Sequence, residues 1–210
     1  MAKVTGPLMS FSASGSLAGA MVFSNSKGRP YVRQLVIPSN PNTNAQQGVR
    51  ASMKSMNILW AVMTIAAKAT WAAAAAVKNV STWNAFVARN QSDAAIGEAP
   101  QRQDPAEASV PPSIPTAIVD SVAGNQVTIT ANEPATGNTF GVALWISPTT
   151  GFTPASANLK QVVAGTATPG SPMAFTVSNL DVGTYYYRLK GFDFAGEWGT
   201  TSAEGSFVVV

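Results

Sequence analysis

The last hundred residues constrain the fold most tightly. From Pro112 onward, short β-branched and aromatic runs alternate with turn residues at 117–122, 126–131, 140–147, 159–163, 173–177, 184–192 and 204–209. Seven such runs in about a hundred residues predict two antiparallel sheets packed face to face. Within 184–192, strand alternation puts Tyr185, Tyr187 and Leu189 on one inward face.

Leu180-Asp181-Val182-Gly183-Thr184-Tyr185, followed by Asp193-Phe194-Ala195-Gly196-Glu197-Trp198-Gly199, resembles the F strand and F–G loop of fibronectin type III domains. The resemblance covers residues 111–210. It implies that the Tyr185 hydroxyl locks the corner that precedes its strand, and that Phe194 and Trp198 project from the F–G loop as exposed aromatic contacts. The sequence departs from the family where Ala131 replaces the usual strand B tryptophan, and Trp145 is expected to fill that space. Asp181, Asp193 and Glu197 are expected to be solvated loop acids, because no second acid lies at a reliable spacing for catalysis or calcium.

The front half has another character. Residues 1–90 contain nine Lys/Arg and no Asp or Glu; residues 91–210 contain four Lys/Arg and all ten acids. Such a division points to modules with different contacts. Small residues over 8–24, turn chemistry at 24–28 and the β-rich run 31–37 predict a hairpin with a cationic tip. Pro38 and Pro41 end it. Thr43 and Gln46 have the form of a capping box opening a helix whose Val49, Met53, Met56, Trp60 and Met63 form one apolar stripe. Two more helices follow over 65–78 and 81–90, with Trp60, Trp71 and Trp83 as anchors. Residues 58–77 have the length of a membrane span, but Lys68 near their centre and their alanine content argue against insertion. Residues 91–110, polar and proline-rich, read as a linker.

The run Gly-Ala-Met-Val-Phe-Ser over 19–24, Lys27-Gly28-Arg29, Tyr31-Val32-Arg33, Ile37-Pro38, Gln47-Gly48-Val49-Arg50 and Trp83-Asn84-Ala85-Phe86 resembles a family of small tailed-bacteriophage proteins. It covers about residues 6–90 and implies a place in the virion. The combined expectation is an α+β N-terminal module over 1–90 (a β-hairpin plus short helices), a linker over 91–110, and an all-β immunoglobulin-like, fibronectin type III sandwich over 111–210.

With no cysteine and no histidine, the chain lacks disulfides, thiolate metal sites and the commonest general base. No phosphate-cradling glycine loop or nucleophile elbow occurs. These absences point away from an enzyme, and with the place in the virion that the resemblance implies, the expectation is a non-enzymatic virion protein without cofactor, a capsid decoration or neck/tail accessory. Its partners would be other virion proteins in many symmetric copies. Lys27, Arg29, Tyr31, Arg33, Arg50 and Lys54 are the expected docking residues. Two alternatives are a host-surface glycan adhesin using Phe194 and Trp198, and a DNA-associated or ejected protein using its basic front half. Nucleic acid ranks below protein because the basic residues are not densely clustered.

Overall fold

The computed structural model describes residues 3–4, 13–17, 19–26, 29–37, 43–166 and 168–210. The chain divides into two compact units, Met1–Pro41 and Asn42–Val210.

The first unit is a four-stranded antiparallel sheet in sequence order: β1 (Lys3–Val4), β2 (Ala13–Leu17), β3 (Met21–Ser26) and β4 (Arg29–Gln34). Gly19, at φ +67°, turns the chain between β2 and β3; an L-side chain there would be strained. The expected hairpin is present as β3–β4, with Phe23 opposite Val32 and Ser24 opposite Tyr31. Its second strand starts two residues earlier than expected and ends at Gln34.

The second unit starts with helices. Thr43 caps α1 (Asn44–Val62) by accepting from the Gln46 amide at 3.4 Å. The reciprocal half of the expected capping box is missing, because Gln46 Oε1 is buried without a partner among the described residues. The predicted apolar stripe is also rotated: Val49 and Met53 are exposed, while Gly48, Ala51, Ser52, Ser55, Met56, Leu59 and Met63 are buried. Small residues win the inward face of the first turns because the chain opposite comes too close for larger ones. A Cβ on Gly48 would lie 2.2 Å from the Ser156 carbonyl oxygen.

Thr64 caps α2 (Ile65–Thr70), and the segment expected as one helix to residue 78 breaks at Trp71 before α3 (Ala72–Lys78). No single described helix is long and apolar enough to cross a membrane; α1 and the α2–α3 segment are bent by 117°. Ser81 caps α4 (Thr82–Ile96), which runs six residues past its expected end to a left-handed Gly97. Phe86 is fully buried, with Trp60, Trp71 and Trp83 ring centroids at 5.2, 5.4 and 5.9 Å. The three tryptophans thus surround a phenylalanine hub.

The strands follow as β5 (Thr116–Ala123), β6 (Gln126–Asn132), β7 (Thr139–Ser147), β8 (Leu159–Ala164), β9 (Pro172–Val177), β10 (Gly183–Asp193), β11 (Trp198–Thr201) and β12 (Gly205–Val209). All seven expected strands are present, and β11 is an eighth. One sheet is β5-β6-β9; the other is β11-β10-β7-β8, with β12 also paired to β10. The sandwich core holds Val127, Ile129, Met173 and Phe175 against Val142, Leu144, Leu189 and Phe207. Tyr185 donates its hydroxyl to the Asp181 carbonyl at 3.1 Å, the corner lock that the resemblance implies.

All nine residues of β7 are buried. A strand buried on both faces needs a layer on each side. One side is the sandwich core; on the other, Ala143, Trp145 and Phe192 share a core with Met56, Leu59, Trp71 and Phe86. The second unit therefore stacks helices, a five-stranded sheet and a three-stranded sheet. Trp145 does not fill the space beside Ala131: it is on the opposite face of β7, against the helices.

That packing also corrects the expected boundaries. The helices over 44–96 belong with the sandwich, and residues 91–110 do not separate them. Asn90 is fully buried and pairs with Gln101 through two bonds, Gln101 N–H to Oδ1 at 2.8 Å and Nδ2 to the Gln101 carbonyl at 3.2 Å. Arg102 N–H donates to the Phe194 carbonyl at 2.9 Å. Asp193, expected as a solvated acid, is fully buried and accepts from Ser109 Oγ and Val110 N–H. Specific partners thus hold the stretch that reads as a linker.

Candidate functional site

The expected docking residues divide between the units. Lys27 lies outside the described residues. Arg29 opens β4, where its backbone pairs with Ser26. Tyr31 and Arg33 sit exposed on the same strand. Tyr31 is 41% exposed and Val32 54%; beyond the strand Val36 reaches 63% and Ile37 84%. Arg50 and Lys54 belong to the second unit, exposed on α1, so the six residues do not form one module. The apolar exposure beside Tyr31 and Arg33 went unnoticed in the sequence, where 31–37 reads as an ordinary half-buried strand.

Phe194 and Trp198 are not projecting loop aromatics. Trp198 opens β11, donates its indole N–H to the Gly97 carbonyl at 2.8 Å, and packs against Trp145 at 5.2 Å and Phe192 at 5.3 Å. Phe194 meets Phe140 at 5.9 Å and carries the Arg102 guanidinium 3.7 Å above its ring. Both rings hold the helical layer and the segment after α4 onto the sheet. The F–G turn is tight, four residues between β10 and β11, so its aromatics fold back rather than outward.

Carboxylates likewise serve the fold. Glu133 is buried and accepts from Thr166 N–H and Oγ1, the latter at 2.6 Å. Glu204 accepts from Thr150 Oγ1 at 2.8 Å and pairs with Arg188 at 3.3 Å, and these contacts hold its carboxyl below the usual range. Tyr187 donates to Asp120 at 3.1 Å; burial first, and that bond second, push its phenol up to about 12. Among the described residues no group of three or more His, Cys, Asp or Glu could hold a metal ion.

Between α1, the end of α4 and the outer face of the five-stranded sheet lies a cavity of about 110 Å³. Trp145, Phe192, Trp198 and Met56 supply apolar walls; Ser52, Glu98 and Lys190 supply polar ones. The traces in the sequence are Ser52 and Ser55, small residues on one helical face that the large-apolar stripe hid.

No protein-family model matches the chain, and no curated protein matches it. Solved structures similar to about half of it include the FN1–FN3 domains of chicken CNTN1 (16% identity, TM-score 0.37, 48% of this chain and 31% of that one). Others are the PKD domain of an M14-like peptidase from a Thermoplasmatales archaeon (20%, 0.32, 49% and 98%) and the Clostridium perfringens spore cortex lytic enzyme SleM (12%, 0.35, 47% and 28%). The chain spans under a third of the CNTN1 and SleM chains. The likeness concerns fold alone, and the comparisons give the phage resemblance no support.

Proposed function

We propose that this chain is a non-enzymatic structural protein of a tailed-phage particle, with residues 1–41 as the docking unit and residues 42–210 as the body it carries. The observation behind this reading is the exposed apolar run Tyr31, Val32, Val36 and Ile37 on a unit whose sequence contains no carboxylate. Exposed apolar side chains leave free energy to be gained by burial, about 25 cal/mol per Å². Basic neighbours without internal counter-charges favour an acidic partner surface. The virion assignment itself rests on the resemblance of residues 6–90.

The reading narrows the expected anchor from residues 1–90 to 1–41, because the helices over 44–96 are occupied in packing on the sheet. An adhesin presenting Phe194 and Trp198 has lost its basis, as both rings are engaged. The test is co-sedimentation of the full chain with particles assembled in its presence. A Val32→Asp/Ile37→Asp variant is expected to stay in the supernatant while its thermal unfolding matches the parent. Co-sedimentation of the variant at parental levels refutes the docking role. Retention of the parent on DNA, lost steeply with salt, would replace it with the nucleic-acid alternative.

A further inference from the structure

The cavity on the outer face of the five-stranded sheet combines three features that core packing leaves unexplained. First, Ser52 is buried, 5% exposed, and its hydroxyl has no hydrogen-bond partner among the described residues. Ser55, one turn later, satisfies its own by donating to the Ala51 carbonyl at 2.6 Å. A buried hydroxyl left unpaired keeps its full desolvation penalty. Second, Lys190 brings a cation beside the rings of Trp198 and Phe192, with Glu98 the one carboxylate in the same lining. Its ammonium lies 5.4 Å from the Trp198 ring centroid and makes no ion pair among the described residues. Burial lowers its pKa, with only the Glu98 charge opposing that shift. Third, Ser52, Ala94 and Ser156 also line a neighbouring cavity of about 240 Å³, so the two hollows share a wall.

The geometry points to this cavity as a binding site for a small monocarboxylate with a short apolar body. The carboxylate would pair with Lys190, the body would lie against Trp145, Trp198 and Met56, and a ligand or bridging water would satisfy Ser52. A dry apolar cavity of about 150 Å³ accepts benzene, so about 110 Å³ suits a body of a few carbons. Glu98 at the same wall disfavours a second negative charge on the ligand. This inference does not depend on the virion reading, since it concerns residues of the second unit alone.

The test uses the full chain titrated with butanoate and, separately, butanamide, read by tryptophan fluorescence and by ligand-observed NMR. Butanoate is expected to give saturable binding, at least tenfold tighter than the isosteric amide. Lys190→Gln, at a partly exposed position, should erase that difference; Glu98→Gln should tighten butanoate several-fold. Ser52→Ala should weaken butanoate while leaving the fold intact by circular dichroism. Absence of saturable binding, equal affinity for acid and amide, or an unchanged preference in Lys190→Gln would each overturn the proposal.

Discussion

Asp193 offers the sharpest test of whether residues 97–111 are strapped to the body or trail from it. Its carboxylate is fully buried and accepts four bonds: from Ser109 Oγ at 2.9 Å, Val110 N–H at 2.7 Å, Ala195 N–H at 3.0 Å and Glu197 N–H at 2.8 Å. Two of these close the F–G turn, and two tie down the segment leading to β5. A hydrogen bond to a charged group contributes about 1.5–3 kcal/mol. Four would sum to far more than a single substitution normally removes. The donors belong to exposed or half-exposed residues, however, and water replaces part of what Asp193→Ala deletes. The expected loss is therefore about 3–4 kcal/mol. Asp193→Asn, which keeps one acceptor oxygen but presents an NH₂ to two of the donors, should lose about 2 kcal/mol. Urea unfolding measures both, with the m-value unchanged. Amide exchange at Val110 should accelerate in step with the loss, because its acceptor is gone. A loss below about 1 kcal/mol in Asp193→Ala, or Val110 exchange equal to the parent's, refutes the strap.

Three further outcomes follow from the structure. Gly48→Ala should destabilise by about 1–3 kcal/mol in chemical denaturation, although alanine favours a helix by about 1 kcal/mol, because the new Cβ would sit 2.2 Å from the Ser156 carbonyl oxygen; a stabilised variant would contradict the close approach of α1 to that loop. Tyr187 keeps its proton more tightly folded than unfolded, with a phenol raised from 10.0 to about 12. Stability should accordingly decline as pH rises through that interval, since unfolding then releases a proton. Asp120→Asn, which removes the charge beside the phenol, should bring the phenolate absorbance transition down only in part, because burial is the larger cause; no change would assign the shift to burial alone.

Much of the second unit was legible along the chain because its signals are local. Strand alternation placed Tyr187 and Leu189 inward, and Thr43 marked a helix start whose cap forms, whereas the Tyr185 corner bond was implied by the fibronectin type III resemblance. These depend on a few neighbouring residues and their backbone geometry. What tertiary structure decided is which apolar face meets which. Trp145 has two possible sides of a strand, and alternation cannot say that a helical layer claims the outer one. Residues 91–110 look like a linker because their bonds run to partners distant in sequence, as when Val110 reaches Asp193 and Arg102 reaches Phe194. The inward face of α1 was misread for a related reason: Gly48 and Ser52 carry little hydrophobic signal, yet the nearness of Ser156 excludes anything larger at Gly48. Local chemistry writes the elements into the sequence, whereas the order of the layers is set by long-range burial that only the assembled fold brings together.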